Sequence, residues 1–61
     1  MSRDVVDILS EEWQERGMTL AELSRRSGVA YHRIRRAFFE GSRLRYEDAI
    51  AVAKTLKVEL R

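Results

Sequence analysis

The chain has no cysteine and no proline, and only three glycines among its 61 residues. Without cysteine there is no disulfide framework and no thiolate metal site, a composition that suits a reducing, cytoplasmic setting. Without proline, and with few glycines, long helices and short connections are expected. Histidine occurs once. One histidine and no cysteine cannot build an ordinary zinc site unless several carboxylates converge, so neither a metal nor a cofactor is expected. No apolar run approaches the roughly 20 residues of a membrane span, and the N-terminus carries no signal-peptide pattern. There is no phosphate-cradling glycine loop, no nucleophile motif and no internal repeat. Glu11 with Glu12, and Glu47 with Asp48, are adjacent only in sequence. Neighbouring helical residues point about 100° apart, so neither pair makes a catalytic dyad. No catalytic residue is found, and an enzyme is not expected.

What is present is charge, unevenly placed. Hydrophobic content of 44% and charged content of 36% suit one small helical domain over residues 1–61, near the lower size limit for a self-supporting core. The net charge of +2 conceals a segregation. Residues 1–24 carry a balance of −4, residues 25–45 a balance of +6, and residues 46–61 are neutral. All seven cations of the middle block are arginines, opposed there by Glu40 alone. A block this concentrated is an electrostatic footprint for a polyanion. Arginine's planar fork also favours contacts with phosphate or guanine over a merely solvated face.

The basic block overlaps the stretch from Thr19 to Phe39, TLAELSRRSGVAYHRIRRAFF. Thr19 and Glu22 stand at capping-box spacing, which predicts a helix start. Leu20, Ala21 and Leu23 give that helix an apolar side. Gly28 ends it in a sharp turn, Val29 plugs the turn, and a second helix is predicted from about Ala30 to Phe38. With Ile34 set inward, Ala37 and Phe38 share its side. His32 and Arg36, flanked by Arg33 and Arg35, face out, with Tyr31 half inward at the helix start. Four nearby cations on one outer face repel one another, a cost that a polyanion would offset.

Two flanking helices complete the pattern. Residues 4–16 form an amphipathic helix in which Ile8, Val5, Leu9, Trp13 and Val6 fall on one arc, while Asp7, Glu11 and Glu15 face outward. Trp13 at that spacing is a core anchor, and Met18 is expected between helices one and two. Residues 46–56 form the other, with Tyr46, Ala49, Ile50, Ala53 and Leu56 along its inner face. Glu47 and Asp48 suit its start and Lys54 its end. Leu44 tucks in from the intervening loop.

The positions of Leu23, Ser24, Gly28, Val29 and Ile34 resemble the helix-turn-helix of the lambda-repressor and Cro-like DNA-binding proteins. The stretch EDAIAVAKTLKVEL is similar to that family's fourth helix. The resemblance covers about residues 5–60. It implies an all-α, compact bundle of four helices, or five with a C-terminal stub, whose helix-turn-helix occupies about residues 19–39. It further implies that the third helix enters the major groove of double-stranded DNA. Base contacts would then come from Ala30, Tyr31, His32, Arg33, Arg35 and Arg36. Phosphate contacts would come from Thr19, Leu20, Arg25, Arg26, Arg43 and Arg45. For Arg25 and Arg26 the dipole of the second helix is already a sufficient reason.

Several positions depart from the family pattern. The glycine that commonly follows the turn glycine falls one residue late here, at Gly41. Helix three is therefore expected to end near Phe38 or Phe39, with the extra residue taken up by the loop; on an unbroken helix Phe39 would point toward the DNA side. Leu20 stands where glutamine often clamps a phosphate. Arg45 stands where a capping serine or threonine is common. The chain stops at Arg61, which leaves little room for the fifth helix that carries the dimer contact in many relatives. The protein then either dimerises differently, or binds as a monomer, or is a piece of a longer chain; the free domain is expected to be mainly monomeric at micromolar concentration, and two copies could still meet as a homodimer on a two-part DNA site. The function implied is sequence-specific binding of double-stranded DNA, as a transcriptional regulator of the phage and prokaryotic repressor type. Four arginine or histidine readers suit a G-rich half-site, because the arginine fork matches guanine O6 and N7. Two rivals stand beside it. One is a protein-interaction module of antitoxin type with secondary DNA binding, using the acidic face of helix one. The other is an RNA-binding domain, against which stands the lack of an exposed aromatic platform.

Overall fold

The computed structural model describes residues 4–58. Among them every regular element is an α-helix: α1 (Val5–Arg16), α2 (Leu20–Ser27), α3 (Tyr31–Glu40) and α4 (Tyr46–Leu56). A fifth helical stub would fall on residues beyond 58 and lies outside the described residues. The radius of gyration is 10.2 Å, against about 10.5 Å for a folded domain of this length.

Each helix start follows from its local chemistry. Asp4 caps α1, its carboxylate accepting from the Val6 N–H at 3.2 Å. Thr19 caps α2 by accepting from the Glu22 N–H at 3.1 Å. Glu22 does not complete the reciprocal half of a capping box. Its carboxylate pairs instead with Arg26, 2.8 Å away on the next turn. Ala30 and Arg45 precede α3 and α4 without a side-chain cap. The end of α4 is closed by Lys57 at φ 57°, with the Val58 N–H reaching Ala53 O at 2.8 Å.

α2 and α4 have the predicted bounds. α3 does not: it runs on to Glu40, and the extra residue lengthens the helix rather than the loop. Nothing before Gly41 can stop it, and Gly41 at φ 75° supplies the left-handed turn at which it ends.

The core gathers Leu9, Leu23, Val29, Ile34, Val52 and Leu56, with small Ala49 and Ala53 letting α4 approach closely. α4 packs on both α1 and α2, and α3 packs on α1 and α2. Two inner faces are turned from expectation. On α4 the buried set is Ala49, Val52, Ala53 and Leu56, at i, i+3, i+4 and i+7. Val52 thus takes the place expected of Tyr46, which is 80% exposed. On α1 only Leu9 is fully buried. Val5 and Ile8 are 39% and 38% exposed, because the predicted arc is wider than the face α1 presents to its neighbours. Ala21 of α2 is likewise exposed. Met18, Trp13 and Leu44 pack against the core as expected. Trp13 also carries a buried Nε1 with no hydrogen-bond partner among the described residues.

Candidate nucleic-acid interface

The turn between α2 and α3 is braced from both sides. Gly28, at φ 79°, donates its N–H to Ser24 O at 2.9 Å. The Ser24 hydroxyl crosses the turn and donates to Val29 O at 2.6 Å. The Ser27 hydroxyl accepts from the Val29 N–H at 3.2 Å. The Val29 side chain is buried in the core. Two serines and one valine therefore satisfy the backbone of a turn too short to do so itself, and they fix the angle between the helices. The brace formed by Ser24 was not legible as a hydrogen bond in the sequence, where Ser24 stands out only as a small residue.

α3 is anchored along one side and cationic along the other. Ile34 and Ala37 are buried, and Phe38 is half-buried. His32, Arg33, Arg35 and Arg36 are all exposed. His32 and Arg36 are one turn apart, so their side chains share a stripe. Tyr31 is 47% exposed at the N-terminal end, next to the uncapped Ala30. No acid stands in the first turn of α3.

The arginines divide into two groups. Arg33 reaches Asp48 on α4 at 3.5 Å. Arg35 meets Glu40 at 3.4 Å, and Arg26 meets Glu22. These are partly exposed pairs, of a kind worth about 0–1 kcal/mol, so an incoming phosphate or base competes with them cheaply. Arg25, Arg36, Arg43 and Arg45 are exposed and have no acidic partner among the described residues. The structure thus brings His32, Arg33, Arg35 and Arg36 onto one helix. Arg43 and Arg45 sit on the following loop, and Arg25 and Arg26 on the last turn of α2. Thr19 and Leu20 lie at the start of α2, with the Thr19 side chain already engaged as a cap. Phe39, 60% exposed, lies off the core, but its ring meets Trp13 of α1 edge-on at 5.9 Å.

Among the described residues no group of three or more histidine, cysteine, aspartate or glutamate side chains could hold a metal ion, and no helix is long and apolar enough to cross a membrane. No family model, no curated protein and no solved structure matches the chain.

Proposed function

We propose that this chain binds double-stranded DNA in a sequence-specific way through a helix-turn-helix formed by α2 and α3, and that it acts as a transcriptional regulator. The observation that carries this reading is the two-sided character of α3. Its inner side is buried by Ile34 and Ala37, while its outer side carries four exposed basic residues. Two of these, His32 and Arg36, have no counter-charge among the described residues. A helix held rigidly on one side and cationic on the other suits the major groove, where arginine can fork onto guanine. His32, Arg33, Arg35 and Arg36 face the bases, with Ala30 and Tyr31 at the entering end. Thr19, Leu20, Arg25, Arg26, Arg43 and Arg45 lie along the phosphates. Neither chemistry nor a cofactor is part of this role.

Selection of bound duplexes from a random pool tests it. The expected result is enrichment of one short, guanine-containing half-site. A pool that emerges unenriched would refute sequence-specific recognition, and preferential competition by single-stranded RNA would assign the basic face to RNA.

A further inference from the structure

The outer side of α3 is not uniformly basic. His32, Arg36 and Phe39 stand at i, i+4 and i+7, the spacing that keeps side chains on one stripe of a helix. With Ile34 set inward, steps of about 100° put Phe39 about 140° from the core direction and within about 20° of His32. A stripe that meets solvent with an imidazole and a guanidinium therefore ends in a phenyl ring. Phe39 is 60% exposed, whereas its neighbour Phe38 is half-buried against the core.

The core does not need this ring. Phe38 already packs on Trp13, with ring centres 5.6 Å apart, and on the buried residues. Phe39 meets Trp13 at 5.9 Å with the ring planes at 88°, a T-shaped contact that steadies the ring and leaves most of it open. An apolar side chain held in water on a cationic face gains free energy when a ligand covers it. That ligand must present an apolar group beside the acceptors that suit His32 and Arg36.

The major-groove edge of DNA supplies one such group. It shows hydrogen-bond donors and acceptors at every base, and in addition the methyl on C5 of thymine, which 5-methylcytosine carries at the same place. Phe39 lies three residues beyond Arg36, about 4.5 Å along the helix axis, and seven beyond His32, about 10.5 Å. Base pairs step by about 3.4 Å. The methyl then belongs about one step past the pair met by Arg36 and about three past that met by His32.

We infer that Phe39 is a specificity residue that reads a pyrimidine C5-methyl in the major groove, at the end of the half-site away from His32. The inference rests on the proposed insertion of α3 into that groove. It adds a base preference that the cationic side chains do not supply, since they donate hydrogen bonds and have no use for a methyl.

The test starts from the duplex enriched from the random pool. Each thymine in turn is replaced by uracil, and each cytosine by 5-methylcytosine, and the affinity of the full chain is measured. Uracil differs from thymine only in lacking the methyl. At one thymine, next to a guanine, affinity is expected to fall about fourfold, the worth of one buried carbon. A gain of that size at one cytosine, with every thymine indifferent, would assign the methyl to methylated cytosine instead. Phe39→Ala is expected to abolish the difference between the methylated and unmethylated base at that position, and Phe39→Leu, still apolar, to retain it. Phe39 is mostly in solvent, so both variants keep the fold, which circular dichroism verifies. The wild-type scan needs no variant: flat at every thymine and cytosine, it overturns the inference and leaves the enriched duplex, and with it the DNA reading, standing. A methyl effect that Phe39→Ala leaves unchanged also overturns it. So does a Phe39→Ala loss that is equal on enriched and random duplexes, which would set the ring against the sugar-phosphate backbone. A pool that emerges unenriched removes both readings.

Discussion

The two connections that flank α3 are built on different principles. The turn before it is tied by hydrogen bonds that engage Ser24, Ser27, Gly28 and Val29, and it is pinned by that valine's buried side chain. The loop after it is tied by backbone groups, with the Gly41 and Ser42 N–H both reaching Arg36 O, the latter at 3.2 Å, and by the half-buried Leu44. It then delivers the chain into α4 with no cap at Arg45. The tight turn sets the direction of a helix whose side chains would have to meet base edges within hydrogen-bond tolerance. The slack loop carries Arg43 and Arg45, whose proposed partners are phosphates. Base recognition demands geometry, whereas phosphate attraction tolerates imprecision and acts at longer range. The rigidity is spent where specificity would need it.

The largest expected effect removes the anchor of α3 itself. Ile34→Ala should lower stability by roughly 2–4 kcal/mol, the usual cost of a buried large-to-small change. A thermal melt would show it, and an unchanged melt would mean that the inner side of α3 is misassigned. Next comes Arg36→Ala, which should cost roughly 1–3 kcal/mol on the selected duplex and much less on random DNA. Paired isotherms would decide, and equal losses on both duplexes would reduce α3 to a basic anchor.

Ser24→Ala and Ser42→Ala put the two connections side by side. The first strips a donor from a part-buried carbonyl and should cost about 1–2 kcal/mol of stability. It should also narrow the gap between specific and random DNA. The second touches a side chain for which the structure shows no hydrogen bond among the described residues, and should stay within about 0.5 kcal/mol. Similar melts for the two would erase the contrast.

The smallest effect has opposite signs in two assays. Arg45→Ser supplies the cap that α4 lacks and should stabilise the fold by about 1 kcal/mol. The same change should weaken specific and random duplexes alike and reduce the salt slope by about 0.9, one phosphate's worth. A stability gain with undiminished DNA affinity would remove Arg45 from the proposed interface.

Much of this architecture was legible in the residues. Thr19, Gly28 and Val29 marked the first connection because caps and left-handed turns have narrow residue preferences. Ile34 and Ala37 followed from helical phase once that turn was fixed. What escaped was anything set by a neighbour across space. Tyr46 and Val52 compete for the inner side of α4, and the packing of α1 and α2 decides in favour of Val52. Val5 and Ile8 are apolar enough for a core, but only part of their arc meets α4. Helical phase puts Arg33 on the outer side of α3, but it cannot reveal the partner Asp48, which is 15 residues away in sequence and adjacent in the fold. Family spacing predicts an end for α3 near Phe38 or Phe39, but no residue before Gly41 stops a helix, so α3 continues to Glu40.

Trp13 gives this small protein a built-in optical probe. It is the only tryptophan, and its indole lies 5.6 Å from the Phe38 ring and 5.9 Å from that of Phe39, centre to centre. Those two rings occupy the far end of the same helix that carries His32 and Arg36. The emission of one chromophore therefore tracks whether α1 holds the tail of α3. If that grip loosens as the front of α3 engages a ligand, the colour of the fluorescence shifts to the red without any label being attached.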